Sequence, residues 1–203
     1  MIKETIDFKN YEIVKGTLEE IDNSFYSSLY SNIKQSVNIN HFRRLSHAPG
    51  IQMGFSGHSS FSPLIQKLSE ELKSFFKISN EVHWFVEYWL FVNEPKTKSS
   101  AFHFHKRLNP DSIEANWMTP FKTFVYYIQT PNKCNGNEGD LAFTTNEGAI
   151  YYHETLKLPE DVLFVKPQPG DFYIFPADLY HMPMLSPSSN LDRITLAGNF
   201  CCT

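Results

Sequence analysis

From residue 81 onward the chain consists of short aromatic and β-branched runs, each closed by a turn signal, and few architectures accommodate that pattern. The run EVHWFVEYWLFVNE (81–94) is too rich in β-formers for a surface helix and stops at Pro95. Further strands are predicted at Ser100–His105, Phe121–Gln129, Asp140–Thr144, Val162–Val165, Asp171–Phe175 and Ile194–Phe200. Between them stand Asn109-Pro110, Thr130-Pro131-Asn132, Asn135-Gly136-Asn137, Pro169-Gly170 and Ser186-Pro187-Ser188, combinations that favour chain reversal. Short strands so spaced predict an antiparallel sandwich or barrel.

The first third has a different texture. Thr17-Leu-Glu-Glu20 has capping-box spacing, and Ile21, Phe25, Leu29 and Ile33 follow at four-residue intervals, which predicts a helix. A second helix opens at Ser62-Pro63, with Leu64, Ile65, Leu68, Leu72 and Phe75 or Phe76 as its apolar stripe. The intervening RRLSHAPGIQMGFSGHSS (43–60), rich in Gly, Ser and His, reads as a loop. No repeat, low-complexity tract or linker divides the chain. The expectation is therefore one domain over 1–203: a helical part at 1–80, then a β-barrel core at 81–203.

Composition narrows the function classes. With 41% hydrophobic and 20% charged residues, the chain has the balance of a globular protein. No run approaches the roughly 20 apolar residues of a membrane span. The first residues lack the apolar centre of a secretory signal, so a cytoplasmic protein is expected. A net charge of −4 gives no electrostatic basis for binding nucleic acid or an anionic membrane. The pairs Arg43-Arg44 and Lys106-Arg107 are too short to form such a footprint. Cys134, Cys201 and Cys202 make no CxxC pair, neither a disulfide scaffold nor a zinc knuckle, and read as reduced structural thiols.

The chemistry lies in three places. In His103-Phe104-His105 a strand would project both histidines to one face and Phe102 and Phe104 to the other, so two imidazoles share a cavity and suit one divalent metal. Taken alone, an HxH is more often two satisfied or solvated histidines. In Pro169-Gly-Asp-Phe-Tyr-Ile-Phe-Pro176 a tight turn enters an apolar strand that Phe175-Pro176 ends, and His181 follows where a third imidazole can be presented. Arg193 and Thr195 alternate with apolar neighbours, so both can face the interior. A buried guanidinium is expensive unless it meets an anion, and its planar fork matches a carboxylate, with the Thr hydroxyl able to add a bond. A structural salt bridge for Arg193 is the plainer alternative.

The order HxH, GDLAF (139–143), PGDFYIFPADLYH (169–181), then RIT twelve positions after His181, and AGNF, resembles the Fe(II)/2-oxoglutarate oxygenase superfamily. The likeness is greatest to small phage and bacterial hydroxylases related to prolyl and aspartyl hydroxylases, and it covers about the C-terminal 120 residues. It implies a double-stranded β-helix (jelly-roll, cupin-like) barrel with Fe(II) and 2-oxoglutarate as cofactors. It further implies His181 as the distal iron ligand, Arg193 as the partner of the cosubstrate's distal carboxylate, Thr195 as its hydroxyl companion, and Tyr126 or Tyr127 as a cosubstrate contact. Most of the superfamily has His-x-Asp or His-x-Glu at the first motif, whereas His105 stands here where the carboxylate belongs. Three readings follow: a His103, His105, His181 site, which is favoured; one of the pair plus His181, with water or halide in the third position; or an acid recruited from Asp111 or Glu114. Without a ligating carboxylate the site is one unit more positive, which favours anionic coligands.

Lesser candidates are Asn93, Tyr88 and Trp89 on the first long strand and Trp117 in the loop after HxH, with Asn93 and Trp117 the better prospects for touching substrate. His153-Glu154 reads as a solvated strand end rather than a second metal site, and nothing in the sequence chooses among His41, His47 and His58 as a substrate contact. The implied reaction is oxidative decarboxylation of 2-oxoglutarate to succinate and CO₂ coupled to hydroxylation by O₂ of a small molecule, amino acid or peptide. Alternatives are a cupin-like metalloenzyme that does not use 2-oxoglutarate and an inactive barrel serving as a binding module. Oligomeric state leaves no trace in the sequence.

Overall fold

The computed structural model describes residues 2–18, 21–36, 51–54, 62–77, 84–95, 99–105, 119–146, 152–153 and 160–202. The aromatic run becomes β4 (Trp84–Asn93), and the strands that follow are β5 (Ser99–Ser100), β6 (Thr119–Gln129), β7 (Leu141–Thr144), β8 (Tyr152–His153), β9 (Val162–Val165), β10 (Asp171–Pro176), β11 (Tyr180–Pro183) and β12 (Arg193–Cys202). Upstream lie β1 (Ile2–Phe8), β2 (Tyr11–Thr17), α1 (Asn23–Ser36), β3 (Ile51–Gly54) and α2 (Ser62–Phe76). A seven-stranded sheet runs β1-β2-β10-β6-β12-β4-β3, and a three-stranded sheet runs β11-β7-β9. The pairings within both are antiparallel. This is the double-stranded β-helix arrangement that the resemblance implies.

The large sheet is buried on both faces, and alternation along its strands sorts the side chains. Leu196, Ile194 and Phe200 of β12, Phe124, Tyr126 and Ile128 of β6, and Phe172 and Ile174 of β10 pack with Leu64, Leu68 and Leu72 of α2. Tyr127, Val125, Tyr173, Phe175 and Ala197, from the same strands, face inward with Leu141 and Phe143 of β7. Two-sided burial removes the hydrophobic-in, polar-out signature and leaves near-continuous apolar runs. The outer face of the small sheet has its own cluster, in which Phe102, Ala142 and Met182 pack with Phe164 and Tyr180.

The helices form with different detail from the sequence expectation. α2 starts at Ser62 and buries the predicted stripe. α1 is capped by Asp22, whose Oδ1 accepts from the backbone N–H of Ser24 at 3.0 Å and of Phe25 at 3.2 Å, not by a box beginning at Thr17. Thr17 closes β2 and donates its hydroxyl to Asp171 Oδ1 on β10. Phe25 is 51% exposed while Tyr26 is buried, so in the first turn Tyr26 faces the core in place of the expected Phe25. Residues 2–17, expected within a helical part, form a hairpin on the edge of the large sheet. Its second strand buries Ile13 toward the barrel and Val14 toward the helices, a pairing that local periodicity does not announce. Likewise Ile51–Gly54, read as loop, pairs with β4 as an edge strand. The strand expected over Ser100–His105 is mostly irregular, with a single bridge at His103.

Gly198 is required by close approach. A Cβ there would lie 2.3 Å from the Glu87 carbonyl oxygen and 2.6 Å from the Phe124 ring. Gly198→Ala should therefore destabilise the fold by about 2–3 kcal/mol through forced displacement of backbone and ring. Urea unfolding checks this as a lowered midpoint with an unchanged m-value.

Candidate metal centre

Backbone pairing brings the first and last metal candidates together. His103 and His181 form an antiparallel bridge, His103 N–H to His181 O at 3.0 Å and His181 N–H to His103 O at 2.9 Å. Residues directly opposite in such a pair share a face, so their imidazoles meet at 4.3 Å between ring centroids. His105, two residues along, returns to that face and is held by its backbone N–H to the Ala177 carbonyl at 2.7 Å. Its ring lies 5.3 Å from that of His103 and 5.0 Å from that of His181. One nitrogen of each of the three histidines falls within 4.8 Å of the others.

Each imidazole is also oriented through its other nitrogen. Nδ1 contacts Ala101 O in His103 (3.0 Å), Asn199 Oδ1 in His105 (2.6 Å) and Leu179 O in His181 (3.1 Å). Carbonyl oxygens only accept, so Nδ1 carries the proton in all three and Nε2 keeps its lone pair, the arrangement that metal-ligating histidines adopt. Burial drives the pKa of all three downward, and mutual repulsion adds to it for His105 and His181; His105 falls to about 3. Neutral imidazoles of one tautomer around a shared point fit a divalent metal, and this chemistry of the donor set favours the three-histidine reading over a site lacking one ligand. Asp111 and Glu114 lie outside the described residues, as do Trp117, Glu154, His41, His47 and His58.

The surroundings of Arg193 are likewise set by register. Arg193 is 2% exposed and opposes Asn93 of β4 across the sheet, with Asn93 also buried beside it. Its Nη2 donates to the Tyr127 hydroxyl at 2.7 Å, and its guanidinium carbon lies 5.0 Å from the centre of that ring. Nε and Nη1 are buried with no hydrogen-bond partner among the described residues, and no carboxylate of those residues lies within the 4.0 Å of an ion pair. The salt-bridge alternative for Arg193 is thus not what these residues form. A buried cation with two idle donors is costly unless an anion completes it. The hydroxyl of Tyr173 and Oδ1 of Asp140 are also buried without a partner among the described residues. Burial raises the Tyr127 and Asp140 pKa values, with Arg193 acting against the rise in both cases.

Two expected contacts fall elsewhere. Tyr126 projects to the helical side, where its hydroxyl donates to Asn23 Oδ1 at 2.7 Å, so of the two tyrosines only Tyr127 reaches the interior. Tyr88 packs on that same helical side, while Trp89 faces inward with its ring 5.5 Å from that of His105. Thr195 is buried on the Arg193 face, but its hydroxyl donates to the Phe91 carbonyl at 3.2 Å. Residues not singled out from the sequence are Asn199 and Thr123 beside His105, Glu87 behind Asn199, Tyr173 beside Tyr127, and Asp140 within electrostatic reach of Arg193. Counting by twos from Arg193 along its strand reaches Asn199, which was the available signal.

Comparison with solved structures follows the same line. The chain is similar to a viral collagen prolyl hydroxylase from Paramecium bursaria Chlorella virus-1, solved as its 2OG complex, at TM-score 0.61 and 15% identity, over 96% of this chain and 97% of that one. It is similar to a Pseudomonas putida prolyl-4-hydroxylase at TM-score 0.58 and 10% identity, over 93% and 91% of the two chains. HygX from Streptomyces hygroscopicus, solved with nickel and 2-oxoglutarate bound, matches at TM-score 0.61 and 11% identity over 95% and 83%. At this identity what is shared is the fold, a double-stranded β-helix. No protein-family model matches the sequence, and no curated protein does.

The histidine pKa values carry a consequence for the metal-free protein. Unfolded histidines protonate near 6.5, whereas the folded ones resist, so the unfolded chain binds more protons as pH falls. The contribution of the triad to stability is therefore lost progressively as pH drops below about 6.5. In chelator-treated protein, replacing His105 with Gln should make unfolding free energy fall less steeply between about pH 6.5 and 4, measured by denaturant titration at each pH.

Proposed function

We propose that the protein is a non-haem Fe(II) oxygenase that uses 2-oxoglutarate as cosubstrate and hydroxylates a small molecule, amino acid or peptide. The observation that carries this reading is the pairing of two unmet needs in one interior: three imidazoles with one nitrogen of each within 4.8 Å of the others, and a buried Arg193 with two donors that meet no acceptor among the described residues. A metal satisfies the first and a carboxylate the second, and a dicarboxylate cosubstrate joins them. The names of the structural neighbours support the same class: prolyl hydroxylases recur, one of them solved with a hypoxia-inducible factor peptide fragment, beside an alpha-ketoglutarate-dependent epimerase, SnoN.

His103, His105 and His181 would hold the iron by Nε2, leaving other positions open for cosubstrate and O₂. Bound iron with 2-oxoglutarate and O₂ supplies oxidative decarboxylation to succinate and CO₂ coupled to oxidation of a substrate C–H bond. The chain's own residues do the positioning. Arg193 donates to the distal carboxylate as a planar fork, and Tyr127 directs that fork through its accepted bond. Phe175, whose ring lies 4.7 Å from that of His181, and Trp89 exclude water from the ligand side of the triad. Asn93, buried opposite Arg193, is the described residue from the original substrate candidates that stands nearest the clamp.

Anaerobic titration of the Fe(II)-loaded protein with 2-oxoglutarate, followed by charge-transfer absorption, and succinate release in air test this assignment. Arg193→Ala should weaken 2-oxoglutarate binding by roughly 30-fold or more, since it strips a buried anion of its cation, while Fe(II) binding persists. Tyr127→Phe should weaken it by about tenfold through loss of one bond to a charged partner. Fe(II)-loaded protein that neither binds nor consumes 2-oxoglutarate would sink the proposal and favour the cupin-like alternative.

A further inference from the structure

His105 occupies the position where the resemblance calls for a carboxylate, and its outer nitrogen is held more closely than those of its companions. The bond from Nδ1 to Asn199 Oδ1 is 2.6 Å, against 3.0 and 3.1 Å for the backbone bonds of His103 and His181. The Thr123 hydroxyl donates to the same Asn199 oxygen at 3.1 Å. On its far side Asn199 Nδ2 donates to Glu87 Oε2 at 3.2 Å. Register produces this row, because Asn199 is paired with Glu87 on β4 and with Thr123 on β6. The three side chains therefore lie abreast on one face of the sheet.

Hydrogen-bond polarity runs through the row in one direction. A carboxylate only accepts, so Glu87 turns the donating end of the Asn199 amide toward itself. The accepting end must then face His105, and an acceptor there requires the proton to sit on Nδ1. We propose that Glu87, acting through Asn199, locks His105 in the metal-ligating tautomer and so supplies, from outside the ligand shell, the negative charge that the HxH motif lacks within it. The proposal rests on the metal centre described above. Without Glu87 the amide is free to turn over, and the opposite tautomer, with its lone pair on Nδ1, becomes competitive. Glu87, Asn199 and Thr123 are in this sense positioning residues.

Co(II) alone, titrated into the metal-free full-length protein by calorimetry, is a direct probe. Loss of an outer-shell partner typically weakens metal binding 10–100-fold, so Asn199→Leu should fall in about that range and Glu87→Ala near its lower end, about tenfold. Glu87 is exposed, so its removal leaves the core intact even if Asn199→Leu folds poorly. The decisive variant is Glu87→Ala combined with Asn199→Asp, which puts a carboxylate directly against His105 Nδ1. It should recover most of the lost affinity, a rescue that a merely structural role would not give. Electron paramagnetic resonance of the Cu(II)-loaded forms should count one fewer coordinated imidazole in Glu87→Ala than in the parent and the rescued variant.

Unchanged Co(II) affinity in folded Glu87→Ala, or failure of the double variant to recover, overturns the relay. If His103→Ala and His181→Ala abolish Co(II) binding in that case, the metal centre stands without it. A folded parent that binds no Co(II) overturns both.

Discussion

Two backbone hydrogen bonds between His103 and His181 hold the candidate site together. They join the segment after β5 to β11, which itself pairs with β7, and so add a fourth member to the edge of the small sheet. Because opposed residues of an antiparallel pair project to one side, the bridge that completes the sheet also sets two imidazoles ring to ring. His105 needs only the two-residue repeat of an extended chain to join them. The site is therefore a consequence of strand pairing, and its precision comes from backbone geometry before any side chain is considered.

The large sheet supplies what surrounds the triad. Along most of their length its central strands meet the helices on one side and the small sheet on the other, while Glu87 at the end of the inward row on β4 stays exposed. Polar groups on the inward side must therefore be satisfied within the protein or by a ligand. Asn199, Thr123 and Glu87 satisfy one another and His105. Among the described residues Arg193 is partnered by Tyr127 alone, and its Nε and Nη1 are buried without a hydrogen bond. The same β12 strand carries Arg193 and Asn199 on one face, tying the two polar groups together through one rigid element.

Much of this was legible in sequence. The strands β4, β6, β7, β9, β10 and β12 follow from composition and turn signals, because aromatic and β-branched runs bounded by Gly, Pro and Asn leave the backbone little alternative. The α2 stripe was equally plain. The β1–β2 hairpin and β3 were not, since β2 and β3 pair with strands that lie far along the chain. The cap of α1 is Asp22 rather than Thr17 because β2 continues through Thr17 in order to pair with β10. Tyr126 and Tyr127 are neighbours of identical chemistry, and only the choice of sheet face separates a helix-packing residue from the hydrogen-bond partner of Arg193.

By itself, the sequence determined which residue types are present for metal and carboxylate chemistry: the HxH pair, His181, and an arginine alternating with apolar neighbours. It also determined that the chain would build short antiparallel strands around them. Only the tertiary structure decided that His103 faces His181 and that Glu87, Asn199 and Thr123 line up behind His105, because these contacts depend on register between strands far apart in the chain. Register is set by the burial of whole strand faces, since a slip of one residue would turn every inward side chain outward. That choice is made by the packed core as a unit and has no counterpart in any local stretch of sequence.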